Sequence, residues 1–242
     1  MSSTLDFVNV IMALVVVAGF GYVTYAALAM RRTLGSGLYR RQALGVGLVA
    51  VGFTALYLFN FDSDSFLDPV VFYATAFFLL YWVDSSILAS RASDPVYRDT
   101  LGWSRLRLVY WVVSVASVPI VFGLLAYYSS IGFQGLPGYV NVVLPILFAL
   151  PIYAAVVAGA VVMPIAARRS RDLTLRRSLE WLVLFIAIQL VLQGIVVPLV
   201  SSDPSDPKAI FVDGVAMLLG AYPLLQSARR LVPIYSFHKE YD

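Results

Sequence analysis

Apolar residues fall along this chain in long runs separated by short polar loops. A helix crossing a bilayer needs roughly 20 mostly apolar residues at about 1.5 Å rise each. Seven runs meet that length, at about 6–30, 42–61, 69–90, 105–128, 138–167, 178–200 and 209–230. They fill nearly the whole chain and leave no soluble domain, linker or low-complexity region. No internal repeat stands out. The pattern predicts an all-α fold: one polytopic bundle of seven transmembrane helices over residues 1–242. The first run has no basic region before it, is too long for a signal core and lacks an evident cleavage site, so it reads as a retained helix.

The polar loops give the orientation. Arg31, Arg32, Arg40 and Arg41 lie in the first loop, and Arg91, Arg98, Arg105 and Arg107 in the third. Arg168, Arg169, Arg171, Arg176 and Arg177 lie in the fifth, and Arg229, Arg230 and Lys239 close the chain. These alternate ends hold 16 of the 17 Lys and Arg residues, and Lys208 alone falls on the other side. Basic loops stay in the cytoplasm, so the N-terminus is expected outside and the C-terminus inside. The opposite loops are acidic or neutral, with Asp62, Asp64, Asp68, Asp203 and Asp206.

Composition agrees. Hydrophobic residues make up 60% of the chain and charged ones 13%, more apolar surface than one soluble core of 242 residues can hide. The expected location is a membrane, that of a prokaryotic cell. A net charge of +3 would suggest nucleic acid in a soluble protein, but here topology accounts for the arginines and no nucleic-acid partner is expected. Membrane lipid is the expected surrounding. The arginine-rich inner face is a candidate dock for a protein partner, and a homo-oligomer is a further option. There is no cysteine, and the single histidine, His238, lies in the tail. Thiolate chemistry and a histidine-rich metal or haem site in the membrane are thereby excluded. No HExxH, GxSxG or phosphate-binding loop occurs, so no enzyme activity is expected.

Ionisable and amide groups inside spans are costly and are functional candidates by default. Asp84, in YWVDSSILASR, lies about two turns before Arg91. It is either a proton carrier or a structural carboxylate tied to an inner-loop arginine. Asp213 sits one turn inside the seventh span. It can pair with Lys208, face an outward pocket, or be a solvated carboxylate at a helix start. Gln189 and Gln193 are one turn apart on one face, as ligands or as interhelical links. Glu180, beside Arg176 and Arg177, suggests an interfacial ion pair. The third loop alternates Arg91, Asp94, Arg98, Asp99 and Arg105, with Trp103 as an interface anchor. Gly45, Gly47 and Gly52 in the second span allow close helix approach. Pro145, Pro151 and Pro164 in the fifth predict kinks.

Two segments carry a resemblance. The seventh span reads Val212-Asp213-Gly214-Val215-Ala216-Met217, then Leu218-Leu219-Gly220-Ala221-Tyr222-Pro223-Leu224-Leu225-Gln226-Ser227. It resembles the last helix of the microbial rhodopsins, as does Gly52-Phe53-Thr54 with Tyr57-Leu58 in the second span. Seven spans in this length, N-terminus out, also match that family. The resemblance puts Asp213 at the family's counterion position and Met217 at that of the retinal-binding lysine. Met217 forms no Schiff base, and the lysines are Lys208 and Lys239 alone. The third span lacks the family's arginine motif, and the sixth has Trp181 and Phe185 in place of its Trp-x-x-Tyr-Pro. The resemblance thus implies a rhodopsin-like bundle with no covalent cofactor. It also implies a pocket near Met217 lined by aromatics such as Phe77, Phe78, Tyr81, Trp111, Tyr153 and Tyr222. The cargo expected there is a non-covalent lipid, carotenoid or free retinoid. The expected roles are receptor, apolar-ligand binding or interaction protein. The alternatives are a proton or small-solute transporter using Asp84 and Asp213, and a structural subunit of a membrane complex.

Overall fold

The computed structural model describes residues 2–35, 37–59, 68–92, 103–130, 143, 151, 155–201 and 206–231. Among these no strand occurs. The helices are α1 (Ser2–Thr33), α2 (Gly37–Phe59), α3 (Asp68–Ala92) and α4 (Trp103–Ser130), followed by α5 (Met163–Arg169), α6 (Leu173–Val191), α7 (Val197–Val200) and α8 (Pro207–Arg229). A π turn over Ala158–Val162 precedes α5, and a second over Leu192–Val196 joins α6 to α7. Six helices among the described residues are long and apolar enough to cross a bilayer: Leu5–Thr33, Gly37–Leu58, Val70–Leu88, Arg107–Leu124, Leu173–Val200 and Pro207–Arg229. They mark the chain as an integral membrane protein. Asp172 and Asp206 cap α6 and α8, and arginines lie in the last turns of α1, α5 and α8. Half of the expected fifth span, 138–167, lies outside the described residues, as do Asp94, Arg98 and Asp99 of the third loop.

Both π turns have the same local cause. A proline has no N–H to donate, and its ring crowds the carbonyl four residues earlier. Pro164 and Pro198 follow the two π turns, so the crowded carbonyls belong to Ala160 and Gly194, inside them. Widening the turn relieves the clash, a recognised source of kinks.

Small residues and polar contacts set the helix registers. Gly45 and Gly52, two turns apart on α2, face Trp82 and Thr75, two turns apart on α3. A Cβ on Gly45 would lie 3.1 Å from the Trp82 Cα, and one on Gly52 would lie 3.1 Å from the Thr75 Cα. The two backbones therefore touch, antiparallel. Gly47 makes only ordinary contact with Ala27 and Leu28 of α1. Gln42 and Ser86 continue the α2–α3 seam, the Ser86 hydroxyl lying 2.5 Å from Gln42 Oε1. α6 and α8 are also antiparallel, with Ser178 against Ser227, Gln189 against Ala216 and Gln193 against Asp213. α1 and α8 run parallel: Asn9 Nδ2 donates to the Pro207 carbonyl at 2.8 Å, Met12 meets Gly214, and Tyr22 accepts from Arg229.

The core lies where α1, α2, α3, α6 and α8 converge, on fully buried Phe20, Tyr57, Trp82, Phe185, Met217 and Leu224. α1 buries Val16, Phe20, Val23 and Ala27 along one stripe and leaves Phe7, Leu14 and Tyr25 exposed. α4 sits beside α3 through stacked Phe77 and Trp111 rings, 6.0 Å apart, and a Tyr73–Phe122 pair. Such outward apolar faces suit hydrocarbon as solvent rather than water. At one end of the bundle, Asp172 caps α6 by accepting from the Thr174 and Leu175 amides, and it also accepts the Tyr39 hydroxyl of α2.

Candidate functional site

A cavity of about 370 Å³ opens between α2, α3 and α6. α2 supplies Phe53 and Leu56, and α3 supplies Phe72, Thr75 and Leu79. Ala155 and Val156 close one side, before the first π turn. Phe185, Ile186, Gln189 and Leu190 line it from α6, and Gln193 and Gly194 from the second π turn. Pro198 thus shapes the wall indirectly, because the turn it widens carries Gln193 and Gly194. Ligand sites are typically mostly apolar clefts of about 300–1,000 Å³ with a few placed polar groups. This one lies near the small end of that range.

Three polar side chains line it. The Thr75 hydroxyl donates to the Val71 carbonyl of its own helix at 2.9 Å. Gln189 Nε2 donates to the Ala216 carbonyl at 3.1 Å. Gln193 Nε2 donates to Asp213 Oδ1 at 2.5 Å and meets Met217 Sδ at 3.7 Å. The glutamines therefore do act across helices, and their partners are the candidate residues of α8. Asp213 is 8% exposed. It is neither a solvated helix-start carboxylate nor the cap of α8, a role held by Asp206, which accepts from the Lys208 amide.

Two glycines of α8 make this arrangement fit. A Cβ on Gly220 would collide with Gln189 Nε2 and come within 3.0 Å of the Phe185 ring. A Cβ on Gly214 would lie 2.6 Å from the Tyr57 hydroxyl. The missing side chains let Gln189 reach the α8 backbone and bring the Tyr57 hydroxyl beside Asp213. Close approach needs small residues where helices carry no hydrophobic drive toward each other.

The remaining candidates lie elsewhere. Asp84 pairs with Arg107 of α4 at 3.2 Å. Counting along the antiparallel registers, Asp84 is level with residue 43 of α2 and Asp213 with residue 57, about 20 Å apart along the bundle. The two carboxylates do not share a site. Tyr222 is 58% exposed and meets Trp181 edge-on, away from the cavity. Met217 is fully buried behind Gln193 and does not line the cavity. Of the other expected aromatics, Phe77 stacks on Trp111, and Tyr153 lies outside the described residues. Glu180 pairs with Arg176 at 3.0 Å on the exposed face of α6. Among the described residues, no cluster of three or more metal-ligating side chains occurs. The cavity residues Leu56, Phe72, Leu79 and Ile186 are plain apolar positions that no motif distinguishes. Pro198 was the available signal, through the π turn it imposes.

Comparison with protein-family models, with curated proteins and with solved structures gives no match.

Proposed function

We propose that this chain is a seven-span, rhodopsin-like protein of a prokaryotic cell membrane, N-terminus outside, that binds an apolar ligand without a covalent bond. The cavity between α2, α3 and α6 carries the reading: its wall is apolar apart from Thr75 and two glutamines held by α8. The cargo class is a lipid or a carotenoid, of which this volume accommodates one chain or one end group. The parallel packing of α1 and α8 supports the seventh span. Two parallel helices at the two ends of a chain require an odd number of crossings, and the six apolar helices become seven with one more span before α5. The arginines at the ends of α1, α5 and α8 and the start of α6 support the orientation.

The test is an absorption spectrum from about 300 to 600 nm on protein purified from its own membrane, with mass spectrometry of an organic extract. A single apolar molecule in stoichiometric amount supports the reading. Bulk lipid alone in the extract contradicts it. A second reading, proton or small-solute transfer, is favoured by one observation: the Asp213 carboxylate is buried in a span, beside Gln193 and Tyr57. Asp213→Asn that leaves proton and solute flux in vesicles unchanged removes it.

A further inference from the structure

We propose that the groove between α6 and α8, at the arginine-bearing end of the bundle, binds an anionic phospholipid, with Arg177 and Arg230 on its phosphate. The site lies outside the cavity and is independent of the reading above. Basic residues gather at one end of most membrane proteins, so charge alone marks no site there. Geometry singles out these two. The Ser178 hydroxyl donates to the Ser227 carbonyl at 2.8 Å and lies 3.1 Å from the Ser227 hydroxyl, so α6 and α8 touch at this level. Arg177 precedes Ser178, and Arg230 follows Ser227 by one turn on the same face. Along this antiparallel pair Arg177 is level with residue 228, about 3 Å from the level of Arg230. Both arginines are exposed. Helices in contact lie about 8–10 Å apart, so two side chains of this length at one level reach a common anion.

The surface nearer the middle of the membrane suits hydrocarbon. Trp181, one turn deeper than Arg177 on α6, meets Tyr222 of α8 edge-on at 5.6 Å. Tyr222 is 58% exposed, so the pair is open to lipid. Counted along each helix, it lies roughly 6–12 Å deeper than the arginines. Leu184 and Leu219 continue the exposed surface deeper still. Arginines at one level with Trp and Tyr beneath them follow the order of a phospholipid: phosphate, glycerol, chains. Neighbouring arginines are committed elsewhere. Arg176 pairs with Glu180 at 3.0 Å, and Arg229 donates to the Tyr22 hydroxyl at 3.2 Å. Among the described residues, no hydrogen bond or ion pair engages the Arg177 or the Arg230 guanidinium. Each keeps its fork of N–H groups for phosphate oxygens, which it binds two at a time. A choline headgroup would set an ammonium beside two cations. A headgroup without positive charge leaves the phosphate its net charge, and this selects an anionic lipid.

The test uses the full chain in micelles of a neutral detergent. Phosphatidylglycerol and phosphatidylcholine with the same acyl chains are titrated together, and bound lipids are counted by native mass spectrometry. The wild-type protein is expected to hold phosphatidylglycerol about tenfold more tightly. Arg177→Gln combined with Arg230→Gln should cut that preference to about twofold. Arg31→Gln combined with Arg32→Gln removes the same charge from the end of α1 and should keep it near tenfold. All four positions are exposed, so both double variants keep the fold, as helical circular dichroism will report. No preference in the wild-type protein overturns the proposal. Equal losses in the two double variants also overturn it, by assigning the preference to charge spread over the whole end. Displacement of phosphatidylglycerol by millimolar inorganic phosphate assigns the arginines to a free anion and overturns the lipid.

Discussion

Replacing Gly52 by alanine is expected to push α2 and α3 apart where they frame the cavity. The new Cβ would lie 2.8 Å from Thr75 Oγ1, 3.0 Å from its Cγ2 and 3.1 Å from its Cα. The side-chain atoms can rotate, but the Cα cannot. Ordinary carbon contacts are about 3.5–4.0 Å, so the helices must separate by roughly 0.5–1 Å there. A gap of that size forfeits about a quarter to a half of each dispersion contact across it. Overpacking of this kind typically costs about 1–3 kcal/mol, and the better helix propensity of alanine returns up to about 1 kcal/mol. The net expectation is a loss of about 1–2 kcal/mol. Gly45→Ala meets Trp82 in the same way, and its Cβ would be 3.1 Å from the Trp82 Cα. The two sites lie two turns apart on one seam, so the double variant should lose less than the sum of the singles, because one separation relieves both clashes. The assay is reversible unfolding in mixed micelles with added denaturing detergent, followed by helical circular dichroism. The reasoning is refuted if both single variants keep wild-type stability within about 0.5 kcal/mol, the range usual for substitutions away from close contacts.

The other predictions follow the polar links. Gln193→Leu takes away the amide that donates to Asp213 Oδ1 and should cost about 2 kcal/mol in the same unfolding assay; Asp213→Asn in that background should recover part of the loss, and no recovery would count against the pairing. Arg107→Gln leaves Asp84, whose side chain is 17% exposed, without its guanidinium. A loss of about 1–2 kcal/mol is expected, between the values for exposed and buried pairs. Asp172→Ala removes the cap of α6 and the acceptor of the Tyr39 hydroxyl, with an expected cost of about 1 kcal/mol read by unfolding. The chain has no cysteine, so single introduced cysteines report topology. Ser201→Cys should react with an impermeant maleimide in intact cells and Thr33→Cys only after lysis, and the reverse pattern would invert the orientation.

Six of the expected spans were legible because length and apolarity decide a membrane helix almost alone, and α1, α2, α3, α4, α6–α7 and α8 coincide with them. Helix ends were less legible. Arg31, Arg32 and Arg229 are polar yet helical, since a helix stops at a cap or a proline rather than where hydropathy falls. Gly45 and Gly52 announced a close approach, and their two-turn spacing fits the spacing of Trp82 and Thr75, but nothing in α2 names α3 as the partner. Gln189 and Gln193 stood out as one face of one helix. Their acceptors did not, because Ala216 contributes a backbone carbonyl and Asp213 lies 20 residues away in sequence from Gln193. The aromatic pocket expected around Met217 was the least legible feature. Aromatic residues in a bilayer protein serve packing and lipid contact alike, and Tyr222 and Trp181 pair away from the cavity instead. The cavity itself follows from the π turn, which Pro198 signals locally, and from the α2–α3 seam that its wall faces, a pairing that no local pattern contains.

The proposed function requires that this cavity hold a molecule. The most direct measurement compares extracts of the wild-type protein and of Ala155→Phe, purified in parallel. Ala155 is 2% exposed and lines the cavity, so a phenyl ring there takes up the space a ligand would fill. The predicted result is one apolar molecule per wild-type chain and none in a variant that remains folded and membrane-inserted. The same bulk lipid in both extracts, with no molecule lost on filling the cavity, would contradict the account.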